Sequence, residues 1–199
     1  KSKPLRSLAV HLLLDTSEST RAKVPNSFKS VLELERDAAA ILAKALHKIR
    51  DPFAISGFCS NGRNDVRMQS IKTFDEEFSV VNSMNLAGLK PEYSTRMGAA
   101  LRHCGYSFSN IHANRKLILL VTDGAPSDID VDDLDYLFFD ARRAVSELQK
   151  LQIDVFCVAL GEQAGNRAEK IFGPSRSISV SKLVSLPSKL ANVYLKLTS

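Results

Sequence analysis

The stretch Leu12-Leu13-Leu14-Asp15-Thr16-Ser17-Glu18-Ser19-Thr20 decides how the chain is read. An apolar run suited to a buried strand stops at a carboxylate. Hydroxyls follow at alternate positions, giving the set Asp15, Ser17 and Ser19. An acid and two neutral oxygen donors at a strand end suit a hard divalent cation, which takes oxygen ligands and tolerates few others. The same residues also suit a strand-to-helix turn in which Asp or Ser caps the next helix. D-x-S-x-S alone does not choose between the two. The choice rests on what the rest of the chain brings to the same place.

Outward from this stretch, residues 8–14 (L-A-V-H-L-L-L) are nearly continuous apolar, as a strand buried on both faces of a parallel sheet requires. Similar runs at 53–59, 116–122 and 153–160 predict three more such strands. Between the first two, Val31, Leu34, Ala38, Ile41, Leu42, Ala45, Leu46 and Ile49 recur at helical spacing. Asn26 or Ser27 is the expected cap, and Asp51-Pro52 stops the helix. Asn61-Gly62 signals a reversal into an alternating stretch at 66–73, the pattern of an antiparallel edge strand. Further helices are expected at 74–84, 95–107, 136–151, 164–172 and 183–197, with a short edge strand at 177–180 and loops at 88–94 and 125–135.

Strands alternate with helices throughout. The fold class is therefore α/β, with a mostly parallel sheet of about six strands, one antiparallel edge strand, and helices on both faces. No repeat or linker interrupts residues 1–199, so a single domain is expected, and the lack of an initiating Met fits a domain cut from a longer protein. That length is enough to bury roughly 70% of the unfolded surface.

Composition narrows the function. No apolar run approaches the roughly 18 residues that span a bilayer, so membrane insertion is not expected. Residues 1–6 lead into the first strand without a cleavage signature, which argues against a signal peptide. Cys59, Cys104 and Cys157 are scattered and odd in number, and Cys59 and Cys157 sit in apolar runs. Buried reduced thiols and a cytoplasmic setting follow. No C-x-x-C or spaced His pair suggests a zinc site of that type. The net charge of +5 invites a nucleic-acid reading, but residues 123–140 hold seven aspartates and no Lys or Arg. Such a block beside a metal site repels phosphates, so no nucleic-acid partner is expected. His11 reads as a core histidine, and no His pairs with a Ser or Cys as a triad would.

Ligands of open α/β sheets collect at the carboxyl ends of the strands. Asp15, Ser17 and Ser19 leave the first strand there. Asp123 leaves the strand at 116–121, and Thr95 heads a helix in Ser94-Thr95-Arg96-Met97-Gly98. Each has an ordinary alternative, Thr95 as a helix cap and Asp123-Gly124 as a turn. Their joint occurrence, each at the correct end of its element, favours a metal site.

With D-x-S-x-S at Asp15, Ser17 and Ser19, a loop threonine at Thr95 and a second aspartate at Asp123 in T-D-G, the chain resembles the von Willebrand factor A domains. The resemblance implies a Rossmann-like three-layer fold and a metal-ion-dependent adhesion site holding Mg²⁺ (or Mn²⁺). In that site Ser17, Ser19 and Thr95 bind directly, while Asp15 and Asp123 act partly through water. Formal negative charge then lies largely outside the first shell, and one position stays open for an acidic residue of a target protein.

A closer resemblance is to the C-terminal A domain of the CbbO and NorD proteins. It is carried by L-L-D-T-S-E-S-T, D-P-F-A-I-S-G-F-C-S-N-G-R-N-D-V-R, S-T-R-M-G-A-A-L-R-H and V-T-D-G-A-P-S-D-I-D-V. It implies an adaptor for a hexameric MoxR-type AAA+ ATPase. The target is inhibited Rubisco on the CbbO side, which is favoured, or nitric-oxide reductase on the NorD side. The acidic loop at 128–135 is expected either to contact the ATPase or a basic surface, or to be simply solvated.

Two enzymatic readings fare worse. Haloacid-dehalogenase-type phosphatases need D-x-D after the first strand, and Ser17 stands where the second carboxylate, the general acid/base, belongs. Neither G-x-x-x-x-G-K-[ST] nor G-x-G-x-x-G occurs, so ATP hydrolysis is assigned to a separate subunit.

Overall fold

The computed structural model describes residues 8–198. The segment before residue 8, read above as lacking a cleavage signal, lies outside the described residues. Six strands form one sheet: β1 (Leu8–Asp15), β2 (Phe53–Ser60), β3 (Val66–Lys72), β4 (Arg115–Thr122), β5 (Ile153–Leu160) and β6 (Ser177–Val180). Their spatial order is β3-β2-β1-β4-β5-β6, all parallel except β3, which runs antiparallel to β2 at the edge. The chain winds outward from β1 in one direction and from β4 in the other. The switch point therefore falls between these two neighbours, where an open α/β sheet forms its crevice.

The helices are α1 (Val31–Ile49), α2 (Val80–Ala87), α3 (Met97–Tyr106), α4 (Leu134–Lys150), α5 (Glu162–Phe172) and α6 (Leu186–Thr198). The period-two alternation of β1 divides the core. Val10, Leu12 and Leu14 join a cluster with α1 and α6, while Ala9 and Leu13 join one with α3, α4 and α5. His11 faces the second cluster, with Nδ1 2.8 Å from Ser107 Oγ and Nε2 3.0 Å from Ser56 Oγ. Burial, followed by the charge of His103, holds its pKa down to about 3, as suits a neutral core histidine. Cys59, Cys104 and Cys157 are all buried and free. Among the described residues no helix is long and apolar enough to cross a membrane.

Several boundaries differ from the sequence reading. Neither Asn26 nor Ser27 caps α1. Ser30 does, in a reciprocal box with Glu33. The helix expected at 74–84 starts only at Val80, where Ser79 and Asn82 cap each other. The residues before it form a loop whose Phe74 and Phe78 rings pack against Phe108 and Phe53, at centroid distances of 5.1 and 5.8 Å. The α4 helix begins two residues earlier than expected because Asp133 accepts a hydrogen bond from the Asp135 amide. The last helix is preceded by a separate 3-10 turn, Leu183–Ser185. Gly98, in the first turn of α3, permits a close helix crossing: a Cβ there would lie 2.1 Å from Asp140 Oδ2 on α4.

Candidate metal centre

β1 ends at Asp15, which has no exposed surface. Both of its oxygens are held in place. Oδ1 accepts the Ser17 amide at 2.9 Å and Oδ2 accepts the Thr122 hydroxyl at 2.6 Å. Thr16 anchors the turn by donating both its amide and its hydroxyl to the Phe58 carbonyl, each at 2.9 Å. A 3-10 turn, Glu18–Arg21, follows. Ser17 occupies its N-cap position but makes no side-chain cap bond. The Ser17 hydroxyl lies instead 3.1 Å from Ser19 Oγ, and Ser19 donates to Asp123 Oδ1 at 2.8 Å. The capping reading of D-x-S-x-S is therefore set aside, because neither serine hydroxyl closes a helix end.

Thr95 arrives by a different route. Its backbone pairs in both directions with Ser127, at 2.9 and 3.1 Å, and Ser94 pairs likewise with Ser60, at 2.8 and 2.9 Å. Tyr93 and Glu92 hold the first loop, Tyr93 O accepting from the Glu18 amide and Thr16 O accepting from the Glu92 amide. The segment thus laces the Asp15 loop to the loop after β4. Thr95 does not cap α3. That position belongs to Arg96, which forms no side-chain cap, and the helix begins at Met97. Thr95 as a residue is buried. Asp15, Ser17, Ser19 and Asp123 thus form one connected hydrogen-bond cluster, whereas Thr95 pairs by its backbone with Ser127 on the loop after β4.

The electrostatics of the cluster are unbalanced. Burial and then the charge of Asp123 raise the Asp15 pKa to about 6, against the pull of Ser17 and Thr122. Burial also raises Asp123, opposed by Ser19. Among the described residues no Lys or Arg forms an ion pair with either acid. Nor do three or more His, Cys, Asp or Glu gather at metal-binding distance, so a cation here depends on hydroxyl donors. The donor set fits one: hard neutral oxygens flanked by acids that lack a positive partner.

Sequence reasoning missed several contributors. Thr122, the residue before Asp123, positions Asp15. Arg96, given no role by the motif it sits in, is 7% exposed and closes on Asp128 and Asp130. The acidic loop is accordingly part structure: Asp128 also accepts the Gly62 and Ile129 amides at 2.8 Å, and Asp130 the Arg63 amide at 2.7 Å. Glu35 is fully buried on α1. An acid one turn from Val31 on an otherwise apolar face was the available signal.

A doubly wound sheet with D-x-S-x-S at its switch point matches the von Willebrand factor type A domain model over residues 9–191. The chain belongs to this family. The A domain is 37% identical over 187 residues to Protein NorD of Brucella suis, covering 94% of this chain and 29% of that one. It thus spans less than a third of this relative's length. Its fold matches the PilB minor pilin of Streptococcus sanguinis with a TM-score of 0.74, at 15% identity, covering 98% of this chain and 63% of that one. It also matches proximal thread matrix protein 1 of the mussel byssus, in a form with a zinc-occupied MIDAS motif. That TM-score is 0.66 at 14% identity, covering 94% of this chain and 47% of that one.

Proposed function

We propose that this A domain is a non-catalytic, metal-dependent adaptor. Asp15, Ser17, Ser19, Thr95 and Asp123 hold Mg²⁺ (or Mn²⁺), with one position left for an Asp or Glu of a target protein. When bound, the cation supplies a hard, electron-poor centre for that carboxylate. The chain's own residues prepare it. Thr122 and the Ser17 amide occupy both Asp15 oxygens, which keeps this acid oriented and favours contact through water. Ser17 and Ser19 present neutral oxygens, and pairing with Ser127 fixes the backbone of Thr95. The observation that carries the reading is two carboxylates without a cationic partner, connected through Ser17 and Ser19 at the switch point of the sheet.

The wider role follows from the CbbO and NorD resemblance. A separate hexameric MoxR-family ATPase supplies the work, and the domain, a single unit acting in the cytoplasm, presents the target. Three unpaired buried thiols support that compartment. Motif resemblance points to inhibited Rubisco as the target. Likeness to Protein NorD over 94% of the chain favours nitric-oxide reductase.

Affinity capture in Mg²⁺, with the parent domain against Asp15→Ala, separates these outcomes. The target acid is expected to act as a hot spot worth about 2–4 kcal/mol, so EDTA or Asp15→Ala reduces capture at least 30-fold. Recovery of Rubisco supports the first target, and recovery of the reductase supports the second. Undiminished capture in EDTA overturns the metal reading.

A further inference from the structure

We propose that Glu35 is an outer-sphere member of this centre, its carboxylate holding a water of the cation's shell from the α1 side and so tuning metal affinity. The inference rests on the metal reading above. Its starting point is an anomaly of burial. Glu35 has no exposed surface, and its Oε1 and Oε2 are the buried side-chain N or O atoms without a hydrogen-bond partner among the described residues. A core carboxylate left in this state is strongly unfavourable, and buried acids are ordinarily paired or set against a metal.

Its place in the fold supplies the counterpart. Glu35 lies on the sheet-facing stripe of α1 with Ala38, Ala39, Leu42 and Leu46. The first residue of that helix is tied to the metal loop, the Val31 amide donating to the Ala22 carbonyl at 3.0 Å. One turn on from Val31, Glu35 comes within the fields of Asp15 and Asp123. After burial itself, these are the charges that hold its carboxyl well above the ordinary range. Three acids on three different elements thus feel one another's charge, and no cationic side chain among the described residues pairs with any of them. A divalent ion balances that charge. A carboxylate behind the direct ligands is the usual means of orienting a metal-bound water.

The rival explanation is an ordinary core acid that stays protonated and has no link to metal. Calorimetric titration of the full chain with Mg²⁺, beside thermal unfolding in EDTA and in saturating Mg²⁺, separates the two for Glu35→Gln and Glu35→Leu. Both variants are expected to match or exceed the parent's melting temperature in EDTA, since a buried carboxyl without a hydrogen-bond partner is gone. Both are expected to lose roughly 10–100-fold in Mg²⁺ affinity, Leu more than Gln, and to gain less from Mg²⁺ on heating. Parent-like affinity in both variants overturns the role of Glu35 while leaving the metal reading standing. Failure of both to fold overturns it too, by making Glu35 a structural keystone. No Mg²⁺ binding by the parent overturns the metal reading and the role of Glu35 with it.

Discussion

On one side of the Thr95 segment, Asp128 and Asp130 close around Arg96. On the other, Asp15 and Asp123 draw only hydroxyls and a backbone amide. Burial pushes Asp128 up, but the Gly62 amide, Arg96, Ser60 and the Ile129 amide outweigh it and hold the carboxyl below its ordinary value. Asp15 goes the other way, to about 6, because its neighbours supply hydrogen bonds without positive charge. The first cluster is complete within the chain and acts as a staple, joining the loop after β2, the head of α3 and the loop after β4. The second draws no cationic side chain from the described residues. The two acid clusters thus differ in charge balance far more than in acid content.

The largest test of this contrast removes the staple's cation. Arg96→Met strands a buried acid, and urea unfolding is expected to show a loss of about 3–5 kcal/mol. A loss below 1 kcal/mol would mean the cluster holds nothing together. Asp15→Asn is expected to have the opposite sign without metal. The folded Asp15 pKa of about 6 lies above its ordinary 3.8, so its contribution to stability is full below 3.8 and is lost as pH rises through 6. In EDTA, Asp15→Asn should gain on the parent between pH 4 and 6, by about 3 kcal/mol in all, and the advantage should stay level above pH 7. Mg²⁺ should reverse the order by stabilising the parent alone. A constant difference across pH breaks the contrast. The smallest effect is expected at Asp132, which is exposed, where Asp132→Asn should move stability by no more than about 0.5 kcal/mol. A larger shift would extend the staple into the loop.

The strands were legible because buried parallel strands are continuous apolar runs, and the candidate loops at Asp15 and Asp123 because they follow strand ends. Residues 74–84 misled for a physical reason. Phe74 and Phe78 mimic a helical stripe while plugging the core from a loop, whereas Ser79 with Asn82 marked the true start. Arg96 and Glu35 were beyond reach in a different way. The acids of Arg96 lie 32 and 34 residues away, and the significance of Glu35 depends on groups from other elements. Charge balance is a property of three dimensions.

The placement of Asp15 also has a mechanical consequence. β1 sits between two parallel neighbours, in register with β2 from Val10 to Asp15 and with β4 from Leu8 to Leu14. A pull on the loop, directed along the strand, meets both ladders in shear, so their hydrogen bonds share the load instead of opening one after another. A grip mounted there can transmit traction to the whole sheet without unravelling its own anchor.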